Sequence, residues 1–148
     1  MSYPVKIHGE QQAGLEIQKF LSAWDHVVCQ LDIQLIVGYC TADVCFFDTS
    51  SQTNGILAYQ ALWQRYSSVF QSNIRVFRRD VLIHATESMG FISCYSKVDR
   101  NDGIKTPEIP WCRSTLAVRK TAQGWKIQHQ HISLPVDFAT QRAIPLHF

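Results

Sequence analysis

The hydrophobic period of this chain changes once, near Asn73, and that change restricts the fold more than any single motif does. Before it, apolar residues recur at steps of three and four. Ile17, Phe20, Leu21, Trp24, Val27, Val28 and Leu31 mark one face of a helix running from about Gln11 to Leu31. Asp32 can cap a second, short helix carrying Leu35, Ile36 and Tyr39. Val44-Cys45-Phe46-Phe47 reads as a short strand, ended by Asp48 and a turn-rich run through Gly55. A third helix follows, with Tyr59, Leu62, Trp63, Tyr66, Val69 and Phe70 on one side. After Asn73 the period becomes two, which predicts strands around 74–87, 90–99, 111–121 and 125–134. Met89-Gly90, Asn101-Asp102-Gly103 and Gln123-Gly124 are the expected turns, and 100–110, with Pro107 and Pro110, is an expected loop.

Helices followed by a run of antiparallel strands define an α+β domain. A sheet of four or five strands cannot bury its face alone. The expected form is therefore a cone: a curved, mostly antiparallel sheet wrapped around three helices, with a cavity between its inner face and the first helix. The length of 148 residues suits a single domain over 1–148, with its core at about 12–136 and a tail at 137–148. The outer face of the sheet must meet water or a second subunit. Apolar and aromatic residues on the last two strands point to a homodimer.

Charge and cysteine usage narrow the functional classes. Fourteen Lys and Arg against twelve Asp and Glu leave a net charge of +2, and the basic residues are scattered, so no nucleic-acid partner is expected. Arg75, Arg78 and Arg79 form the one tight cluster, read as a solvated strand end. No run approaches the ~18 apolar residues that a membrane span needs. The segment Met1-Ser2-Tyr3-Pro4-Val5-Lys6 lacks the apolar core of a signal peptide. The cysteines, Cys29, Cys40, Cys45, Cys94 and Cys112, are odd in number and contain no CxxC pair, which suggests reduced, mostly buried thiols in a cytoplasmic protein. No nucleotide or metal motif is present, so no cofactor is expected.

The element order and several motifs resemble the nuclear transport factor 2-like superfamily, also called SnoaL-like or ketosteroid isomerase-like, with its cystatin-like cone. The matching pieces are Asp32, the run Tyr39 to Asp48, Gly55 before the third helix, Arg113-Ser114-Thr115, and Gly124-Trp125-Lys126-Ile127. The ending Trp125…His129-Gln130-His131-Ile132-Ser133 is similar to the association domain of calmodulin-dependent protein kinases. The resemblance covers roughly residues 12–136. It implies the fold and leaves function open, because such folds carry isomerases, cyclases, dehydratases and oligomerisation modules alike. Against the ketosteroid isomerases, Asp48 stands where they carry a general-base aspartate. Trp24 falls near their oxyanion-hole tyrosine and Arg113 near their second acid. A Trp can donate a hydrogen bond but not a proton, and Arg cannot serve as a neutral carboxylic acid. The resemblance therefore does not extend to steroid isomerase chemistry.

Candidate site residues follow from both lines of reasoning. Asp48 is either a base at the mouth of an apolar cavity or a turn-starting Asp bonded to the backbone after it. Arg113, with Trp111 and Thr115 on one strand face, could bind a carboxylate bidentately, or pair with Asp48 or another acid. Strict alternation from Trp125 puts Ile127, His129, His131 and Ser133 on one face, where His131 could act as acid or base and His129 could bind ligand. The association-domain resemblance instead implies that Gln130 and Ile132 line the pocket and the histidines face out. A single bulge decides between the two. The His-x-His spacing could chelate a metal but lacks a third ligand, so no metal is expected and structural histidines remain the plain alternative. Trp24 and Trp63 are cavity-wall candidates and equally ordinary core residues. The expected function is a small-molecule-binding or oligomerisation domain, its ligand a carboxylate if Arg113 reaches the cavity. The alternative is a cofactor-independent isomerase, lyase or cyclase with Asp48 as base.

Overall fold

The computed structural model describes residues 3–70, 74–100 and 109–148. The Asn101-Asp102-Gly103 turn and Pro107 lie outside these residues. Helix α1 (Gln11–Gln30) begins at Glu10, whose carboxylate accepts from the Gln12 and Ala13 amides, and ends at Leu31 in the left-handed region. Its buried stripe is Ile17, Leu21, Trp24, Asp25, Val27 and Val28. Asp32 caps α2 (Ile33–Gly38) by accepting from the Leu35 amide at 3.1 Å. Helix α3 (Ile56–Phe70) buries Tyr59, Leu62 and Trp63.

The sheet holds β1 (Val5–Gly9), β2 (Cys40–Phe47), β3 (Gln52–Asn54), β4 (Ile74–Ala85), β5 (Met89–Arg100), β6 (Cys112–Thr121) and β7 (Gly124–Ser133) in the order β1-β4-β5-β6-β7-β2-β3. A small ribbon of β8 (Val136–Asp137) and β9 (Arg142–Ala143) follows. Strands β4 to β7 form an antiparallel meander. Two pairings are parallel, β1 with β4 and β2 with β7. Helix α1 packs on β4 and α3 on β2, so one hydrophobic core fills the concave face.

β1 was not expected. Its five residues, with only Val5 and Ile7 turned toward the core cluster, are too short to show a period. Two glycines admit it. A Cβ at Gly9 would lie 2.2 Å from the Ala85 carbonyl oxygen, and one at Gly14 would lie 2.2 Å from Ile7 Cγ2.

Two bulges set which side chains reach the interior. In β4 the register slips between Arg79 and Leu82, with Asp80 in the left-handed region at φ 53°. The buried positions accordingly change from Ile74, Val76 and Arg78 to Val81, Ile83 and Ala85. Arg78 is therefore an interior residue, and the expectation of a solvated strand end fails for it. In β7, Ala117 pairs with His129 but Val118 pairs with Ile127, leaving Gln128 unmatched. Trp125 and Ile127 face inward before this point, and Gln130 and Ile132 after it.

Arg78 meets Asp25 of α1 inside the cone, their side chains 3% and 2% exposed. Nε donates to both carboxylate oxygens at 3.0 and 2.9 Å, Nη2 to Oδ1 at 2.8 Å, and Nη1 to Cys94 Sγ at 3.4 Å. The Tyr3 hydroxyl donates to Asp25 Oδ2 at 2.8 Å. Burial alone would lower the Arg78 pKa, but the adjacent Asp25 charge outweighs it and holds the guanidinium ionised. Burial, then Asp25, raises the Tyr3 pKa, so the phenol stays protonated.

Removing one partner strands the other charge in the core. Asp25→Ala should cost about 3–5 kcal/mol in urea unfolding, and Asp25→Leu combined with Arg78→Met should recover most of it. Burial also pushes the Cys40 thiol up from 9.0 to about 12. Below pH 9 folded and unfolded chains both hold this proton; above it the unfolded chain releases it first. Stability should thus fall as pH rises from 9.0 toward about 12. Unfolding free energies from about pH 8 to about pH 11 should fall less steeply in Cys40→Ala than in wild type.

Candidate functional site

The open end of the cone encloses a cavity of about 260 Å³. Trp24 and Val28 of α1, Trp63, Tyr66 and Phe70 of α3, and Phe46, Val76, Val98 and Ile132 of the sheet supply its apolar wall. Asp48, Arg78, Ser96, Cys112 and Gln130 are among its polar residues. The wall draws on α1, α3 and every strand from β4 to β7, which fixes its shape through the core itself.

α3 contributes an aromatic row at helical spacing. Tyr59, Trp63, Tyr66 and Phe70 meet in successive ring contacts of 6.4, 5.9 and 6.3 Å. The fully buried Tyr59 donates to Gln130 Oε1 at 3.1 Å and so holds the inward amide of β7. Burial holds the Tyr59 pKa well above its ordinary value. Five buried side-chain nitrogens and oxygens have no hydrogen-bond partner among the described residues, on Thr41, Thr53, Trp63, Arg79 and Ser114. Only the Trp63 indole nitrogen belongs to a cavity-lining residue.

Asp48 both starts a turn and borders the cavity. Its backbone amide donates to Ser51 O and its Oδ1 accepts from the Thr49 amide at 2.7 Å, as in a turn-starting Asp. Its Oδ2 meanwhile accepts from the Tyr66 hydroxyl at the cavity wall. Burial, then this hydrogen bond, raises the Tyr66 pKa, so the phenol keeps its proton. Cys112 is a neutral thiol, its pKa raised by burial and then by the Asp48 charge.

Asp48, Trp24, Trp63 and Gln130 thus come together around one cavity. The other sequence candidates do not. Arg113 is exposed on the outer face, where its Nε donates to Ser133 Oγ at 3.1 Å, so it shares no cavity with Asp48. Trp111 lies on that face too, with Lys97 and Arg79 over its ring at 5.2 and 5.9 Å and Phe148 beside it. His129 and His131 stand edge-on to Phe47 at 5.0 and 5.4 Å, away from the cavity lining. The β7 bulge is the cause: it turns the histidines out after Trp125 and Ile127 have pointed in. Sequence reasoning missed Arg78 with Asp25, and Tyr66 as the partner of Asp48. Tyr66 lay on the α3 stripe; nothing in the sequence marked the β4 bulge that turns Arg78 inward. No group of three or more His, Cys, Asp or Glu is placed to hold a metal ion among the described residues. No helix among them is long and apolar enough to cross a membrane.

A family model described as the SnoaL-like domain matches residues 17–137. The chain belongs to the SnoaL-like family. Its fold is shared with solved structures of low identity. One is a nuclear transport factor 2-like protein of unknown function from Pseudomonas putida (TM-score 0.83, 23% identity, covering 92% of this chain and 96% of that one). Another, from Streptomyces avermitilis, is proposed to be a dehydratase of the same broad family (TM-score 0.72, 16% identity, 86% and 98% coverage). A third, from Catenulispora acidiphila, was solved in complex with S-DNPA (TM-score 0.70, 16% identity, 84% and 94% coverage). Comparison with curated proteins finds no match.

Tyr66→Phe removes the side-chain donor to Asp48 and should cost about 1 kcal/mol in thermal melts.

Proposed function

We propose that this SnoaL-like domain binds a small, largely apolar molecule in the cavity between α1, α3 and the concave sheet face. The observation that carries this reading is the composition of the wall: aromatic and aliphatic side chains with a few fixed polar groups, the pattern of a preformed ligand site. The complex of the Catenulispora acidiphila protein with S-DNPA supports it. Trp24 and Trp63 would pack the ligand and Gln130, held by Tyr59, would orient it. Ile132→Trp, which fills the cavity from β7, should abolish the thermal stabilisation given by any ligand that raises the wild-type melting temperature. A shift that survives this change would mean the ligand sits elsewhere.

A catalytic version has its own supporting observation, the Tyr66–Asp48 hydrogen bond at the cavity wall. A carboxylate there could take a proton next to a carbonyl, and the protonated phenol could supply one, without a cofactor. Turnover of a carbonyl compound should then disappear in Asp48→Asn while binding persists. Equal turnover in both proteins would remove Asp48 from the chemistry.

We assign the outward histidines to a subunit contact. Phe91 and Phe47 are each 43% exposed on the described chain, Phe91 stacked on His84 and Phe47 against His129 and His131. Such a patch is typical of a face covered by a partner, and a homodimer through it is the expected assembly. Phe91→Glu should yield monomers in sedimentation experiments with ligand binding intact. The absence of a disulfide at each cysteine fits a reducing cytoplasm.

A further inference from the structure

We infer that the segment 146–148 is a strap that holds one lip of the cavity, with Phe148 as its positioning residue, and that release of the strap opens the mouth. The inference concerns entry to the cavity proposed above as a binding site, and its test reads opening without any ligand.

The lip is the run 109–112. Ile109, Pro110 and Cys112 line the same cavity as Asp48. Trp111, between them, turns the other way: its ring lies on the outer face, with Arg79 and Lys97 over it. Among the described residues the sheet ladders stop short of this run. The β5–β6 ladder ends at Ser96 with Cys112, and the β6–β7 ladder at Arg113 with Ser133. Trp111 bonds to the strap instead: its amide donates to the Leu146 carbonyl at 2.8 Å, in an isolated antiparallel bridge. The inner lip therefore depends on a contact made on the outer side of the sheet.

Phe148 fixes that contact. Its ring meets Tyr95 of β5 at 4.8 Å and Trp111 at 6.2 Å, and the Arg79 guanidinium of β4 lies over it at 4.3 Å. One side chain thus ties the lip to two strands of the meander. The β8–β9 ribbon delivers the strap, and the Ile144 amide closes that return by donating to the Pro135 carbonyl at 2.8 Å. These contacts lie at the surface: Phe148 is 58% exposed and the Arg79 side chain 42%. Aromatic and cation–π contacts that water reaches are individually small. None of them belongs to the core cluster that holds α1 on the meander. The strap can therefore leave while the cone stands, and the mouth then widens at Pro110 and Cys112.

Cys112 reports the opening. Labelling with N-ethylmaleimide, resolved by peptide mass spectrometry, compares wild type, Phe148→Ala and Phe148→Tyr. The buried Cys40 and Cys94 serve as internal markers of general unfolding. Loss of the ring should speed Cys112 labelling about fivefold, the worth of one cation–aromatic contact, and leave Cys40 and Cys94 at their wild-type rates. Phe148→Tyr, which keeps the ring, should label as wild type does. Amide exchange gives a second reading: the Trp111 amide should lose protection in Phe148→Ala, while those of Leu116 and Val118 in β6 keep theirs. Unchanged Cys112 labelling in Phe148→Ala overturns the inference even if the Trp111 amide responds, because the lip then stands without its strap. Cys40 and Cys94 accelerating in step with Cys112 overturns it as well, because that marks a general loosening. A tyrosine variant that labels as fast as the alanine variant removes the ring from its assigned role. None of these results touches the proposed binding site, which Ile132→Trp tests separately.

Discussion

The pair of Asp25 and Arg78 ties the longest helix to the strand it crosses, and much of the interior is arranged around it. Two charges brought into a core lose their hydration, and only close, directional contacts compensate for that loss. Here the guanidinium meets both carboxylate oxygens, Tyr3 donates to one of them, and Cys94 receives a further guanidinium hydrogen. The contact specifies which turn of α1 lies over β4 and keeps α1 from sliding along the sheet. It also seats a cation in the cavity wall with its charge already balanced.

Bulges perform the second structural task. A strand in regular alternation shows one face for its whole length, so a single unmatched residue exchanges inside for outside beyond it. Asp80 does this in β4 and Gln128 in β7. The first turns Arg78 inward alongside Val76 while keeping Val81 and Ile83 in the core. The second turns Gln130 and Ile132 toward the cavity and His129 and His131 toward Phe47. Cavity and outer face are thus coupled: the same irregularity that lines one furnishes the other.

The site itself combines a rigid scaffold with a local turn. Asp48 ends β2, bonds the turn that follows, and reaches Tyr66 on the helix after that turn. A turn-starting aspartate and a cavity carboxylate are therefore the same residue, and neither role displaces the other. The aromatic row of α3 is likewise both core and wall. Such double use is characteristic of a fold whose cavity is a part of the core left unfilled.

Local regularity was legible in the sequence. The spacing of Ile17, Leu21, Trp24 and Val28 announced α1, Asp32 its neighbour's cap, and the alternation after Asn73 the strands of the meander. The cone and the SnoaL-like family followed from that order and from the motifs around Asp48, Arg113 and Trp125. Of the cavity wall, Asp48, Trp24, Trp63 and Gln130 could be named, because each belongs to an element whose facing the local pattern or the family resemblance indicates. Alternation grouped Trp111 with Arg113 on one face of β6 without saying which face was inner, and strict alternation from Trp125 carries His129 and His131 inward only because it passes over the slip at Gln128. β1 and the parallel insertion of β2 beside β7 depend on partners distant in the chain. The meeting of Asp25 with Arg78 is of the same kind: neither residue marks the other in sequence, and only the crossing of α1 over a bulged β4 brings them together. Periodicity is a property of neighbours along the chain, whereas register, facing and charge compensation are decided by contacts across it.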